Sequence, residues 1–291
     1  MFRFNSIKKL VALAEEKNEP IWKVTLREQA IEMEATEEEL FEKMRENLHV
    51  MVRSSKEGMK PGLKSISGIS GGDGLRMQEL LEKGSPLSGP FNTRATAIAL
   101  CIMEYNAAMG KIVAAPTAGS CGILPAGIIT MMEQKDIDEE KAVCALITAG
   151  AVGMVISAKA TLAGAEGGCQ AECGSASAMT AAALVELSGG TPSMSAHAVA
   201  IALQNLMGLV CDPVAGLVEV PCILRNGCGI SIAINSADLA LAGVKSVIPV
   251  DEVITAMSEV GAALPPSLKE TALGGLAATP TGLQIKEKIF G

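Results

Sequence analysis

Eight cysteines are the residues whose type and surroundings point most directly to chemistry. They are Cys101, Cys121, Cys144, Cys169, Cys173, Cys211, Cys222 and Cys228. Their spacing is irregular, and in a reducing compartment such thiols are buried, metal-binding or catalytic rather than disulfide-bonded. Two stretches, GAEGGCQAECGSASAM (164–179) and LVCDPVAGLVEVPCILRNGCG (209–229), place cysteines beside Gly or Pro, where the backbone lets thiolates converge. The residues alone leave two interpretations open there: metal ligands or buried small hydrophobes.

The other cysteines are interpreted one by one. Cys173 follows Cys169 by four residues, so on a helix both would share a face, and Cys173 is a rival ligand. Cys228, which follows Arg225, Asn226 and Gly227, is a second rival. Three remain: Cys101 and Cys144 fall in alanine-rich helical patterns and are expected to be core thiols, and Cys121 is expected to be incidental.

The loop APTAGSCG (115–122) contains the candidate substrate-binding residues Thr117 and Ser120. A helix is predicted to begin near Gly122, and hydroxyls and backbone donors at a helix N-terminus can hold a carboxylate. Ordinary capping by Thr or Ser is the alternative. A second glycine-rich string, SGISGGDG (67–74), lacks the Gly-Lys-Ser/Thr ending of a phosphate loop, so we expect it to pack near the site instead.

Few other side chains in the sequence suggest catalysis. Of the two histidines, His49 is expected on a solvated surface, and His197 serves either the site or the core. Lys159 in apolar surroundings could suggest a Schiff-base lysine. The chain has neither the N-terminal Ser-x-Lys site nor the tetraglycine loop expected of a pyridoxal-phosphate dehydratase, which argues against that class.

The elements that must position these residues are predicted to be helices, because small residues follow helical patterns and alternating β-branched runs are nearly absent. The expected segments are 92–109, 122–133, 138–163, 175–188, 194–210, 230–243 and 251–263. Residues 58–90 favour a long irregular segment, and the better strand candidates, such as 216–220, are very short. We predict an all-α bundle of small-residue-rich helices, with buried central helices and cysteine-bearing loops.

We expect one domain over 1–291, with an amphipathic helical segment at 1–60 and a catalytic core at 61–291. Thr36 and Glu39 form a capping-box pattern ahead of apolar residues at helical spacing. Hydrophobic residues make up 49% of the chain but aromatic residues only 2%, so the core is expected to consist of small side chains in close-packed helices.

Charge and hydropathy exclude several classes of partner. A net charge of −8 disfavours nucleic acid and anionic membranes, which need a basic surface. Residues 142–158 are uncharged and reach the short limit of a spanning helix, but their Ala and Gly content favours a buried helix over a membrane span. The N-terminus lacks a secretory cleavage pattern, so we expect a cytoplasmic protein.

Taken together, the strings at 67–74, 115–127, 164–179 and 208–226 resemble signature segments of the iron–sulfur L-serine dehydratase α subunit. The resemblance implies a [4Fe–4S] cluster held by Cys169, Cys211 and Cys222, with one iron open to substrate. It further implies that iron acts as a Lewis acid on the serine hydroxyl while an unidentified base removes the α-proton. The products would be pyruvate and ammonia.

The chain also departs from single-chain members of that family. It lacks their Ser-Ser-Ser-His-Thr loop and their C-terminal cysteine, since it ends in Phe290 and Gly291. The resemblance therefore implies the α subunit of a two-chain enzyme, with a separate β subunit that supplies the missing domain. A related iron–sulfur lyase acting on L-cysteine is the alternative, and turnover on the two substrates separates them.

Overall fold

The structure, a computed structural model, describes residues 5–291 and is all-α across them, as predicted. The helices are α1 (Ile7–Lys17), α2 (Ile21–Glu32), α3 (Glu37–Gly58), α4 (Asp73–Lys83), α5 (Gly89–Ala107), α6 (Ile123–Gln134), α7 (Glu139–Lys159), α8 (Gly164–Gly167), α9 (Ser175–Leu187), α10 (Pro192–Leu206), α11 (Cys222–Leu241), α12 (Val250–Ala263) and α13 (Pro280–Phe290). Between α8 and α9 the chain forms a π-helical turn at Gln170–Gly174.

The centre of the fold is α9, which is buried along its length from Ser175 to Val185 and contacts α6, α7, α10 and α11. Small residues allow these close approaches. A Cβ added to Gly127 of α6 would lie 2.7 Å from the Thr180 methyl group, and one on Gly229 of α11 would lie 2.6 Å from the Ile123 side chain. Glycine at these positions lets the backbones pack without a clash, which confirms the expected small-residue core.

The N-terminal segment contributes three helices. At the start of α3, the Thr36 hydroxyl accepts from the Glu39 N–H at 3.1 Å, and the Glu39 carboxylate accepts from the Thr36 N–H at 2.9 Å, so the predicted capping box is present. Leu10 and Val24 from α1 and α2 belong to the same hydrophobic core as the later helices. The division into 1–60 and 61–291 stays a prediction.

Helix α7 contains the apolar stretch that approached membrane-spanning length. It is long and apolar enough to cross a membrane, but 67% of its most apolar window is buried against other parts of the described chain. It packs on α2 and α9, as expected of a core helix. Its last residue, Lys159, forms an ion pair with Asp251 at 3.1 Å, so the apolar surroundings that would favour a Schiff-base lysine are absent.

Three sequence-based boundaries are wrong. The segment 58–90, predicted to be irregular, contains α4, whose first N–H groups are capped from a distance: the Asp73 N–H donates to Glu104 of α5 at 2.6 Å. Helix α11 begins at Cys222, not at 230, because the glycines that suggested a loop are packing contacts inside the helix. The strand candidate at 216–220 is a turn that follows a short 3₁₀ helix.

Candidate active site

The first cysteine segment, residues 164–174, contains α8 and the π-helical turn and leads into α9. Gly168 has φ +77°, and a Cβ there would lie 2.7 Å from Leu264 and 2.9 Å from the Leu209 carbonyl oxygen, so only glycine fits. Gln170, which is buried, fixes the segment from inside. Its amide donates to the Gly167 and Met257 carbonyls at 2.9 and 3.0 Å and accepts from the Gly208 N–H at 2.8 Å.

Cys169 and Cys173 lie at the two ends of this turn, with their sulfur atoms 3.4 Å apart. The sulfur–sulfur hydrogen bond with Cys173 lowers the pKa of Cys169, and the charge of the nearby Arg225 guanidinium acts in the same direction. The same hydrogen bond and full burial raise the pKa of Cys173. Of the two thiols, Cys169 is therefore the one that ionises first.

The second cysteine segment, residues 208–226, is extended and then turns into α11. The Cys211 N–H donates to the Leu268 carbonyl at 2.9 Å, and the Glu270 N–H donates to the Cys211 carbonyl at 2.8 Å. Cys222 is the first residue of α11 and follows the cis Val220–Pro221 peptide bond. Burial raises the pKa of the Cys222 thiol to about 12.

The three predicted ligands converge. Burial is the main cause that raises the pKa of Cys211 and of Cys222, and the negative charge of Cys169 is the next largest cause for both. Each of the three thiols is less than one tenth exposed. Across residues 5–291, no group of three or more His, Cys, Asp or Glu side chains is arranged to hold a single metal ion. The structure thus brings the thiols into one buried neighbourhood without a single-ion site.

Arg225 is the positive group of this neighbourhood. Its guanidinium donates to the Val210 carbonyl and to the Asp212 carboxylate, both at 2.8 Å. The second Asp212 oxygen accepts from the Leu276 N–H at 2.7 Å, which ties the C-terminal part of the chain to the segment. The arginine therefore stabilises both the Cys169 thiolate and the backbone around Cys211.

The candidate substrate residues lie beside the first cysteine segment. Thr117 and Ser120 have hydroxyl oxygens 3.1 Å apart, and the Thr117 hydroxyl donates to the Glu172 carboxylate at 2.7 Å. Helix α6 begins at Ile123, so the predicted helix start near Gly122 is confirmed. Burial raises the pKa of Glu172, and the charge of Glu270 adds to this, while the Thr117 hydrogen bond opposes it.

Glu172 also lies near the second cysteine segment. A Cβ placed on Gly164 would lie 2.6 Å from a Glu172 oxygen and 3.0 Å from the Cys211 sulfur, so both side chains face the same glycine. Glu172 is therefore the carboxyl group between the hydroxyl pair and the thiols. Sequence reasoning gave it no role, although it lies inside the string that carried the family resemblance.

Asn226 connects the 115–122 loop to α11. Its side-chain amide donates to the Gly119 carbonyl at 2.8 Å and to the Cys222 carbonyl at 2.9 Å, and it accepts from the Gly122 N–H at 3.0 Å. Because the side chain is fully buried, these bonds are not exchanged for bonds to water. The Asn226 side chain thus fixes the 115–122 loop relative to Cys222.

The glycine-rich string at 67–74 packs on the second cysteine segment. The Ser67 and Ser70 hydroxyls donate to the two oxygens of Glu219 at 2.8 and 2.6 Å. Glu219 is buried and lies three residues before Cys222. This location agrees with the expectation of close packing near the site.

The remaining candidates lie elsewhere. Cys101 is buried in α5, and Cys121 is buried with its sulfur 3.5 Å from that of Met103. Cys144 is half-buried in α7, and Cys228 is exposed on α11. Of the histidines, exposed His49 lies 3.2 Å from Glu139, as expected for a surface residue, and His197 is half-buried on α10.

Comparison with known proteins gives the family. The serine dehydratase alpha chain family model matches residues 16–277. The probable L-serine dehydratase alpha chain of Bacillus subtilis is 48% identical over 288 residues, which cover 99% of this chain and 96% of that protein. The L-serine dehydratase alpha chain of Peptoniphilus asaccharolyticus is 44% identical over 282 residues, which cover 97% of each chain.

A longer relative matches in part. The L-serine dehydratase of Escherichia coli is 41% identical over 181 residues, which are 62% of this chain but only 40% of that protein. In the comparison with the family model, the matched residues include the 115–122 loop and both cysteine segments. Because the family model and the full-length relatives cover nearly all of it, the chain belongs to the serine dehydratase alpha chain family.

Proposed function

We propose that this chain is the α subunit of a cytoplasmic L-serine dehydratase, a lyase that converts L-serine to pyruvate and ammonia. The observation that carries the proposal is the convergence of Cys169, Cys211 and Cys222 beside the Thr117–Ser120–Glu172 hydrogen-bonded group. The names of the full-length relatives support the same reaction and substrate.

The donor set fits a [4Fe–4S] cluster held by Cys169, Cys211 and Cys222. The three buried thiols come from two segments that backbone hydrogen bonds hold in place. The Arg225 guanidinium lies nearby and would offset part of the negative charge of the thiolates. Each thiolate of such a cluster binds a different iron, so the ligands need not share one ion. When bound, a cluster with three protein ligands supplies an iron with a free position, a Lewis acid for the serine hydroxyl.

The chain's own polar groups would bind and orient the substrate. The Thr117 and Ser120 hydroxyls lie next to the start of α6, where hydroxyl and N–H donors can hold the serine carboxylate. Glu172 holds the Thr117 hydroxyl in place, and its raised pKa lets its carboxyl group exchange a proton closer to neutral pH than an exposed glutamate would. Of these groups, the Ser120 side chain is fully buried, whereas Thr117 and Glu172 are half-buried.

A β subunit is part of the proposal. Three relatives carry the designation alpha chain, which implies a second chain in those proteins. The Escherichia coli relative matches this chain over only 40% of its length, so it contains further sequence. We propose that a separate β subunit supplies the corresponding part here.

The first experiment measures iron and acid-labile sulfide per chain after anaerobic purification. We expect about four of each in the parent. Both should be lost in Cys169→Ser, Cys211→Ser and Cys222→Ser and retained in the matched controls Cys173→Ser and Cys228→Ser. A parent that stays free of iron after anaerobic reconstitution, with and without the β subunit, would refute the cluster assignment.

The second experiment measures pyruvate formed from L-serine and from L-cysteine by the reconstituted αβ protein. Turnover should favour serine, as the relatives' names indicate. Preferential release of sulfide from cysteine would replace the proposed substrate while leaving the cluster in place.

A further inference from the structure

Cys173 is a buried thiol that the proposed function leaves without a role. Its sulfur lies 3.4 Å from that of Cys169, and its side chain is fully buried. Cys173 could serve only as a small hydrophobic residue that fills space at the start of α9. The contact with a candidate ligand makes a chemical role possible as well.

The backbone brings the two thiols into register. They are four residues apart across a π-helical turn, and side chains at this spacing face one another. The two sulfur atoms already lie 3.4 Å apart, so they need to approach by little more than about 1 Å to reach the length of a disulfide bond, about 2.0 Å. A bond between the two sulfurs therefore requires no large change of backbone.

We propose that Cys169 and Cys173 form a reversible disulfide whenever Cys169 does not hold a cluster, with Cys173 as the resolving thiol. The proposal rests on the proposed function for the ligand role of Cys169. It makes this turn a redox modification site that closes when the cluster is lost and opens when a dithiol reductant acts on it.

The chemistry balances with hydrogen peroxide as oxidant. The Cys169 thiolate attacks one peroxide oxygen, so an S–O bond forms, the O–O bond breaks and hydroxide leaves. The Cys173 thiol then attacks the Cys169 sulfur; the S–S bond forms, the S–O bond breaks and water leaves with the Cys173 proton. Two electrons pass from the two thiols to one peroxide. A dithiol reductant returns them and restores both thiols.

Arg225 favours Cys169 as the thiol that reacts first with peroxide. The Gln170 N–H, next to Cys169, donates to the Leu209 carbonyl at 2.9 Å, and the Arg225 guanidinium donates to the adjacent Val210 carbonyl at 2.8 Å, so the cation lies near Cys169. Thiols beside a cation are the more reactive ones. Cys173 lies on the other side of the turn, fully buried at the start of α9 and 3.4 Å from the Cys169 sulfur. The two thiols thus have different roles in the same pair.

The sequence offers a direct test. Cleavage after glutamate separates the four site cysteines into four peptides, 167–172, 173–186, 187–219 and 220–252. The full chain, stripped of iron by a chelator without oxygen, is treated with hydrogen peroxide, blocked with a thiol reagent, digested and analysed by mass spectrometry. We expect 167–172 and 173–186 as the predominant linked pair, released by dithiothreitol, after which iron incorporation returns.

Variants and controls complete the test. In Cys173→Ala we expect sulfinic acid on Cys169 instead of a linkage, since the sulfenic acid has no thiol to trap it. Cys228→Ser, which removes an exposed thiol, should give the parent result. Linkage of 167–172 to the Cys211 or Cys222 peptide, or sulfinic acid on Cys169 in the parent, would overturn the proposal.

Failure of the disulfide proposal can be distinguished from failure of the proposed function. Iron measured in the same preparation before chelation reports on the cluster, whereas the linked peptides report on the disulfide. A chain that never binds iron but forms the linkage refutes only the cluster assignment. A chain that binds iron but does not form the linkage refutes only the disulfide proposal.

Discussion

The two cysteine segments are held by different kinds of interaction. The first, residues 164–174, is fixed by neutral groups, above all the buried Gln170 amide and the close backbone contacts of Gly168. The second, residues 208–226, is fixed by charged groups, namely the Arg225–Asp212 pair and Glu219. The first segment is mostly helical, since it contains α8 and the π-helical turn, whereas the second contains a short 3₁₀ helix and irregular turns before α11.

This difference predicts that the second segment is the more sensitive to loss of one partner. A buried charge left alone costs more than a buried amide or hydroxyl left alone, because its desolvation is not compensated. Substitutions that remove single partners in each segment can establish or refute the ranking.

The largest effect is expected for Arg225→Ala. It leaves Asp212, whose side chain is 4% exposed, without its cation, and breaking a buried pair in this way costs about 3–5 kcal/mol of unfolding free energy. Urea unfolding of the iron-free chain measures it. Arg225→Lys, which keeps the charge but not the two-pronged contact, should lose less, and an equal loss would show that charge is not the stabilising factor.

Gln170→Ala should have the next largest effect. It removes three buried hydrogen bonds from the first segment, which corresponds to about 2–3 kcal/mol. The same unfolding measurement applies, with Gln134→Ala at the exposed end of α6 as a control that should be unchanged. A cost above that of Arg225→Ala would reverse the comparison.

Ser67→Ala and Ser70→Ala test the support that Glu219 receives from the 67–74 string. Each removes one hydrogen bond to a buried carboxylate, for which we expect about 1–2 kcal/mol. A double-mutant cycle with Glu219→Gln should give a coupling energy for each serine. Additive effects would show that the string packs on the second segment without depending on the carboxylate.

The smallest effect on stability is expected for Glu172→Gln. We expect it as a change in how the free energy of unfolding depends on pH. Burial raises the pKa of Glu172 above its ordinary value of 4.5. The folded chain then binds more protons than the unfolded chain, so this group stabilises fully below pH 4.5 and its contribution is lost as pH rises through the raised pKa.

Melting temperature measured from acid to neutral pH checks this prediction. Glu172→Gln should show a shallower decline above pH 4.5 than the parent. The matched control is Glu166→Gln, since Glu166 is an exposed carboxylate that also accepts from a threonine hydroxyl, at 2.6 Å. An unchanged slope in Glu172→Gln would mean that the carboxyl group titrates as it does in the unfolded chain.

The sequence was sufficient for the fold class and for the family, because helical patterning and the cysteine-bearing strings are local features. It was insufficient wherever a distant group decides the outcome. Helix α4 was missed because its cap comes from Glu104 on α5, and the start of α11 was missed because Gly229 looked like a loop residue rather than a contact with Ile123.

The same reason explains which site residues were missed. Glu172 lies within the strings that carried the resemblance, but a single carboxylate among small residues gives no pattern of its own. Arg225 and Asn226 were noted only as neighbours of Cys228. Their partners, Asp212 and Gly119, lie 13 and 107 positions away in sequence, so only the folded chain reveals them. The ligand assignments stay predictions until iron is measured.

Asn226 has a consequence for attempts to redesign the enzyme. Since one amide binds both the Gly119–Gly122 backbone and the Cys222 carbonyl, the 115–122 loop and the start of α11 form one mechanical unit. A loop grafted from a relative with another substrate preference would have to present the same carbonyl and N–H to that amide. Under the proposed function, exchanging this loop alone would therefore alter both substrate preference and retention of the cluster.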